Sequence, residues 1–194
     1  GGEIQRVIVA GGDPRKCIFA GVGKTEDEIA FALRKRIYSF NVESVSELER
    51  INRIAGKLKK KAPVAIRVNP NVDAKTHKKI TTGTYDNKFG IAFEKIPAVY
   101  ARAAKLKHIR LRGLQMHIGS QLTQVKPFAD AVRKVAPLAA KLKAKYGLEF
   151  LSIGGGLGIK YEDALVSGEA SWWSREEAKG ILTPAKYAAT LVPL

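Results

Sequence analysis

The sequence predicts an α/β fold built on a parallel sheet, and three observations carry the prediction. Five β-rich runs alternate with helical stretches at spacings of roughly 20 to 45 residues, the rhythm of successive βα units. No internal repeat or low-complexity linker interrupts them, so residues 1–194 read as one domain. Two consecutive runs also end in small and polar residues. His117-Ile118-Gly119-Ser120-Gln121 follows Ile109 to Met116, and Gly154-Gly155-Gly156-Leu157-Gly158 follows Leu148 to Ile153. In parallel α/β architectures, ligands bind at the C-terminal strand ends. Two architectures fit: an open doubly wound sheet, and a segment of a (β/α)8 barrel. A complete TIM-type barrel takes about 250 residues, so about five βα units leave this one incomplete by about three strands.

The first element is ambiguous. Val7, Ile8 and Val9 favour a strand, whereas Ile4, Val7 and Ile8 share one helical face. Gly11-Gly12-Asp13-Pro14 ends it. Cys17 to Ala20 reads as a short buried strand. Thr25 to Glu28 has capping-box spacing, and Ile29, Leu33 and Ile37 continue it as a helical stripe. Tyr38 to Val42 is the next strand, and Ser44 with Glu47 opens a helix bearing Leu48, Ile51, Ile54 and Leu58. Val64 to Val68 is a strand ending at Asn69-Pro70. The stretch from Asn71 to Gly90 reads as a loop, long enough for a compact domain to suggest a function. Ile96 to Leu106 is helical, Val125 to Tyr146 is a helix with a kink or break near Pro137, and Thr183-Pro184 starts a last helix. Between Gly158 and Trp173 the pattern is polar and irregular.

Composition narrows the class. Hydrophobic residues make up 45% of the chain, which is ordinary for a globular protein. No apolar run approaches the ~20 residues of a membrane span, and Gly1-Gly2-Glu3-Ile4 lacks the features of a signal peptide. The absence of an initiator Met, with the ending at Val192-Pro193-Leu194, leads us to expect a piece of a longer chain. A lone Cys17 offers no disulfide framework and fits a reducing cytoplasm. The net charge of +16 comes from 34 Lys and Arg against 18 Asp and Glu. Its clusters (Arg34 to Arg36, Lys57 to Lys61, Lys141 to Lys145) sit near predicted helix ends, where the helix dipole favours cations. No basic stripe is interleaved with aromatic residues for base stacking. We therefore read a solvated surface, with neither nucleic acid nor membrane expected as a partner.

The strand-end motifs suggest a phosphorylated aromatic ligand. Gly154 and Gly156 match the first two positions of a dinucleotide fingerprint, but Ile159 stands where the third glycine belongs. What remains is a set of backbone amides that can approach an anion closely, or else simply a flexible turn. His117 reads either as a hydrogen-bonded core histidine or as a flat surface for a ligand ring. Ser120 reads as a phosphate donor or as the N-cap of a short turn. His77, His108, His117 and Cys17 lie at no metal-ligand spacing, so no metal is expected.

A family resemblance narrows these alternatives. FAGVGK (Phe19 to Lys24), FNVES (Phe40 to Ser44), Arg67-Val68-Asn69-Pro70 and Val72 to His77 are accompanied by Thr82-Gly83, Asn87 to Gly90, His117 to Gln121 and Gly154 to Gly158. With Gly1-Gly2-Glu3, these segments run nearly end to end. The chain resembles the diaminopimelate decarboxylases, in the alanine-racemase-like class of pyridoxal-phosphate enzymes. The HIGSQ and GGGLG motifs alone would admit ornithine or arginine decarboxylases, and the VDAKTH…TTG…NKFG stretch narrows the match.

The resemblance implies a barrel that holds pyridoxal 5'-phosphate at its C-terminal mouth. In it, His117 would stack on the pyridine ring, while Ser120 and the amides of Gly154, Gly155 and Gly156 would hold the phosphate. Glu3 would lie close to the Schiff-base lysine, and Arg67 would belong to the polar lining. It implies further that this lysine precedes Gly1, and that a last barrel strand and a C-terminal β-domain follow Leu194. The parent would be a cytoplasmic homodimer converting meso-diaminopimelate to L-lysine and carbon dioxide, and this chain alone is not expected to catalyse. Two rival readings are a decarboxylase of another basic amino acid and a non-catalytic homologue that binds pyridoxal phosphate. A nucleic-acid-binding domain would differ from all of these, with affinity falling steeply with salt and indifferent to His117→Ala.

Overall fold

The structure is a computed structural model that describes residues 1–72, 89–158 and 182–194. A parallel sheet forms its centre. β1 (Ile18–Phe19), β2 (Ser39–Val42), β3 (Ala62–Asn69), β5 (Ile109–Met116) and β6 (Phe150–Ser152) lie side by side in that order. Every described pairing is parallel. The helices α2 (Glu26–Lys35), α3 (Val45–Lys57), α4 (Ile96–Ala103) and α5 (Lys126–Tyr146) provide the crossovers between strands. All five expected strands are present, but β1 is not the buried strand expected of Cys17 to Ala20: it is the edge of the described sheet, with Ile18 exposed. A sixth, β4 (Ile91–Ala92), pairs with Val68 and Asn69 beyond the reach of β2, whose pairing stops at Ile66.

Local chemistry sets the boundaries. Thr25 and Glu28 form the reciprocal capping box at the start of α2. The Ser44 hydroxyl accepts from Glu47 N–H at α3, and Thr183 caps the final helix α6 (Pro184–Leu191). The ambiguous first segment is a helix, α1 (Gly2–Val9). Ile4 is buried whereas Val9 is exposed, so the helical face wins over the β-branched run. Pro137 sits inside α5 without ending it, although it has no N–H to offer the Arg133 carbonyl one turn back.

The core lies between sheet and helices. Phe40, Val42, Val64, Ile66, Val68, Leu114 and Met116 pack with Leu48, Ile51, Ile96 and Tyr100. Each large buried side chain contributes about 1.5–3 kcal/mol. Gly113 lets the Phe150 ring approach to within 2.6 Å of where a Cβ would stand, and its carbonyl accepts the Tyr100 hydroxyl at 2.6 Å. Burial pushes the Tyr100 phenol well above its ordinary pKa. Most of the Asn71 to Gly90 stretch, and the polar stretch after Gly158, lie outside the described residues. No described helix is long and apolar enough to cross a membrane.

Candidate active site

Alternation along the strands assembles a polar row on one face of the sheet. Asn41 of β2 is in register with Ala65, Arg67 of β3 with Gln115 of β5, and Gln115 with Ser152 of β6. Two residues further on, the same face carries Glu43, Asn69, His117 and Gly154 at the C-terminal ends of these strands. Asn41, Glu43, Arg67, Asn69 and Gln115 are all buried. A buried polar row is costly unless it is hydrogen-bonded, and here much of it is.

The bonding runs from strand end to strand end. Lys24, between β1 and α2, donates to the Gly21 carbonyl at 2.5 Å, the Asn41 carbonyl at 2.8 Å and Glu47 Oε1 at 2.7 Å. Glu47 Oε2 accepts the Glu43 N–H at 2.6 Å. The Glu43 carboxylate receives Arg67 Nη1 at 2.9 and 3.2 Å, and Arg67 Nη2 reaches the His117 carbonyl at 3.4 Å. Asn41 Oδ1 and Gln115 Oε1 are buried without a partner among the described residues.

Beside this row the two motif loops are stitched together. Leu122 N–H donates to the Gly156 carbonyl at 2.8 Å, and Gly158 N–H to the Leu122 carbonyl at 2.9 Å. The approach requires glycine. A Cβ on Gly156, whose φ is +101°, would stand 1.9 Å from the Gly119 carbonyl oxygen. On Gly154, φ +78°, it would stand 2.5 Å from the Met116 carbonyl oxygen and 2.9 Å from His117 Nδ1. Around Gly155 there is open space, and its N–H donates to His117 Nδ1 at 3.3 Å. Burial, assisted by the Arg67 charge and opposed by Glu43, holds the His117 pKa below its ordinary value. The imidazole is therefore neutral at pH 7.

The structure brings His117, Arg67, Gly154, Gly155 and Gly156 together. Ser120 belongs to the same loop pair; its hydroxyl is exposed and makes no hydrogen bond among the described residues. Glu3 is exposed in the first turn of α1 and makes no hydrogen bond or ion pair among those residues. Sequence reading missed Lys24, Glu43, Glu47 and Gln115. One signal for part of the set was available: polar residues at every second position of otherwise apolar strands (Asn41/Glu43, Arg67/Asn69, Gln115/His117). Among the described residues no cluster of three or more His, Cys, Asp or Glu could hold a metal.

Known proteins share the sequence and the fold of this chain. The family described as "pyridoxal-dependent decarboxylase, pyridoxal binding domain" matches residues 1–178. The diaminopimelate decarboxylase of Pseudomonas aeruginosa is 53% identical over 163 residues, covering 84% of this chain and 39% of that protein. That of Vibrio cholerae is 51% identical over 165 residues, with 84% and 40% covered. This chain thus spans about two fifths of the length of these relatives. The crystal structure of Helicobacter pylori diaminopimelate decarboxylase complexed with L-lysine superposes with a TM-score of 0.87. It is 38% identical, with 99% of this chain and 45% of that one covered. Its likeness identifies the curled parallel sheet as part of a pyridoxal-phosphate barrel rather than an open doubly wound one. The residues present fit the cofactor. A backbone too crowded for side chains leaves amides at its rim, a flat neutral ring is hydrogen-bonded to one of them, and the facing loop carries the exposed Ser120 hydroxyl, unpartnered among the described residues. Because the family match runs from α1 through β6 and beyond, this chain belongs to the pyridoxal-dependent decarboxylases and carries their pyridoxal-binding domain.

Proposed function

We propose that this chain forms the cofactor-holding barrel portion of an enzyme that decarboxylates meso-diaminopimelate to L-lysine and carbon dioxide. The observation that carries the reading is the identity, 53% and 51%, to relatives named diaminopimelate decarboxylases. When bound, pyridoxal phosphate supplies an electron sink for the bond that breaks. This chain's residues do the holding. The Gly154-Gly155-Gly156 loop and the Ser120 hydroxyl bind the phosphate, through the Gly154 and Gly156 amides while the Gly155 N–H stays on His117 Nδ1, and the His117 imidazole presents its face to the pyridine ring. Arg67, fixed by Glu43, keeps a positive charge in the polar wall, and Glu3 serves near the anchoring lysine.

In this reading that lysine, a last strand and a β-domain belong to parts of the parent beyond these 194 residues. The whole enzyme is a cytoplasmic homodimer. Two measurements test the proposal. Titration of this chain with pyridoxal phosphate, followed by absorbance, should give saturable binding weakened by Ser120→Ala and by His117→Ala; binding indifferent to both overturns the site. Assay of the full-length enzyme should release carbon dioxide from meso-diaminopimelate and not from ornithine or arginine; the reverse preference overturns the substrate.

A further inference from the structure

We propose that the buried Lys24–Glu47 ion pair, which makes none of the cofactor contacts itself, is the positioning device of the mouth, setting where Arg67 and His117 stand. The inference rests on the cofactor reading above only for its binding arm.

The geometry is that of a coupling rather than an isolated pair. The Lys24 side chain is 1% exposed and that of Glu47 8%. All three hydrogens of the ammonium are engaged, by the carbonyls of Gly21 and Asn41 and by Glu47 Oε1. The second Glu47 oxygen is also engaged, by the Glu43 N–H. The stretch from Asn41 to Glu43 is therefore held at both ends, by its carbonyl at one and its amide at the other. The Glu43 side chain leaves that stretch to meet Arg67, and Arg67 ends on the His117 backbone. Moving Lys24 or Glu47 moves the base from which Glu43 reaches, although neither touches His117.

A merely structural pair would behave differently. A buried ion pair can commonly be replaced by apolar side chains of similar volume with stability kept or raised, whereas removing one partner leaves a buried charge uncompensated. Lys24→Met alone should destabilise the chain. Lys24→Met/Glu47→Met should melt above Lys24→Met, since it strands no charge, though backbone groups left unpaired keep it from full recovery. It should not recover the site, because methionine can neither hold the Asn41 carbonyl nor accept the Glu43 amide. Glu47→Gln, isosteric and retaining one acceptor oxygen, is the milder single change, although it too leaves the buried Lys24 ammonium without its carboxylate and should lower the melting temperature.

The experiment is an NMR pH titration of the His117 imidazole in the parent chain, in Glu47→Gln and in the double variant. Thermal unfolding and pyridoxal phosphate affinity are measured in parallel. We expect a displaced His117 titration in both variants, larger in the double, with affinity weakened about tenfold or more although the double variant melts above Lys24→Met. A double variant with parental titration and affinity overturns the proposal and leaves the pair a structural one. If the parent itself fails to bind pyridoxal phosphate, the cofactor reading falls, and the His117 titration alone decides the positioning role. An unchanged titration there overturns that role too.

Discussion

The two ends of the parallel sheet both gather positive charge, and they treat it in opposite ways. At the C-terminal ends Lys24 and Arg67 are buried, each held by its own carboxylate, Glu47 and Glu43. At the N-terminal ends Arg36, Lys60, Lys61, Arg110 and Arg112 line a cavity of about 480 Å³. There, among the described residues, Glu149 pairs with both Arg110, at 2.6 Å, and Arg112, at 2.7 Å. Arg112 also lies 3.6 Å from the centroid of the Tyr38 ring. The N-terminal end is richer in cations but looser, with Arg110 more than half exposed. Charge density therefore does not mark the site. What marks it is charge that is desolvated, paired and tied to backbone atoms beside glycines that cannot be replaced.

The largest test of this contrast is Arg67→Met against Arg110→Met. Stripping Arg67 strands the Glu43 carboxylate in the interior and should cost about 3–5 kcal/mol. Loss of the exposed Arg110 pair should cost about 0–1 kcal/mol. Urea denaturation of both variants measures the difference, and equal losses would remove the distinction drawn here. Next in size is Gly156→Ala against Gly147→Ala. Both glycines have positive φ, +101° and +69°, but an added Cβ meets the Gly119 carbonyl only at position 156. Gly147→Ala should cost about 1 kcal/mol of conformational strain, with cofactor binding intact. Gly156→Ala should cost more and abolish binding; binding that survives there refutes the glycine cradle.

A third, smaller effect depends on pH. The folded protein holds the His117 imidazole below its ordinary pKa, so the unfolded chain takes up that proton first as pH falls. The stability from this group is fully present above about pH 6.5 and is lost as pH falls from there through the lower folded value. Denaturation midpoints across this window should drop more steeply for the parent than for His117→Gln; parallel slopes would show that His117 contributes nothing. The smallest effect belongs to the N-terminal end. Lys60→Gln/Lys61→Gln should change stability by no more than about 0.5 kcal/mol and leave pyridoxal phosphate affinity untouched. It should also reduce retention on a polyanionic resin. A loss of cofactor affinity in that variant would mean that the two ends communicate.

Much of this contrast was legible in the sequence, though unevenly. The strands, the caps at Thr25, Ser44 and Thr183, and the two glycine-bearing loops are local signals, written within a few residues of where they act. His117 and the triple glycine were readable because a strand end is itself a local signal. The Lys24–Glu47 and Glu43–Arg67 pairs were not, since each joins residues more than 20 positions apart and charged residues are expected outside. Glu47 is instructive: three residues after the N-cap Ser44 it looked like the acid of a capping box, yet its carboxylate turns inward to Lys24. The first helix was ambiguous because Val7 and Ile8 belong both to the β-branched run ending at Val9 and to the helical face that starts at Ile4, and the burial of Ile4 with the exposure of Val9 decides.

The hydrogen bond from Gly155 to His117 has one more consequence. By accepting at Nδ1, the neutral ring is committed to the tautomer that carries its hydrogen on Nε2. A flipped ring would offer carbon to that amide and forfeit the contact, so the imidazole is keyed in orientation as well as in place. Whatever settles against its face meets a side chain with one lone pair already spoken for and a single donor at a known corner.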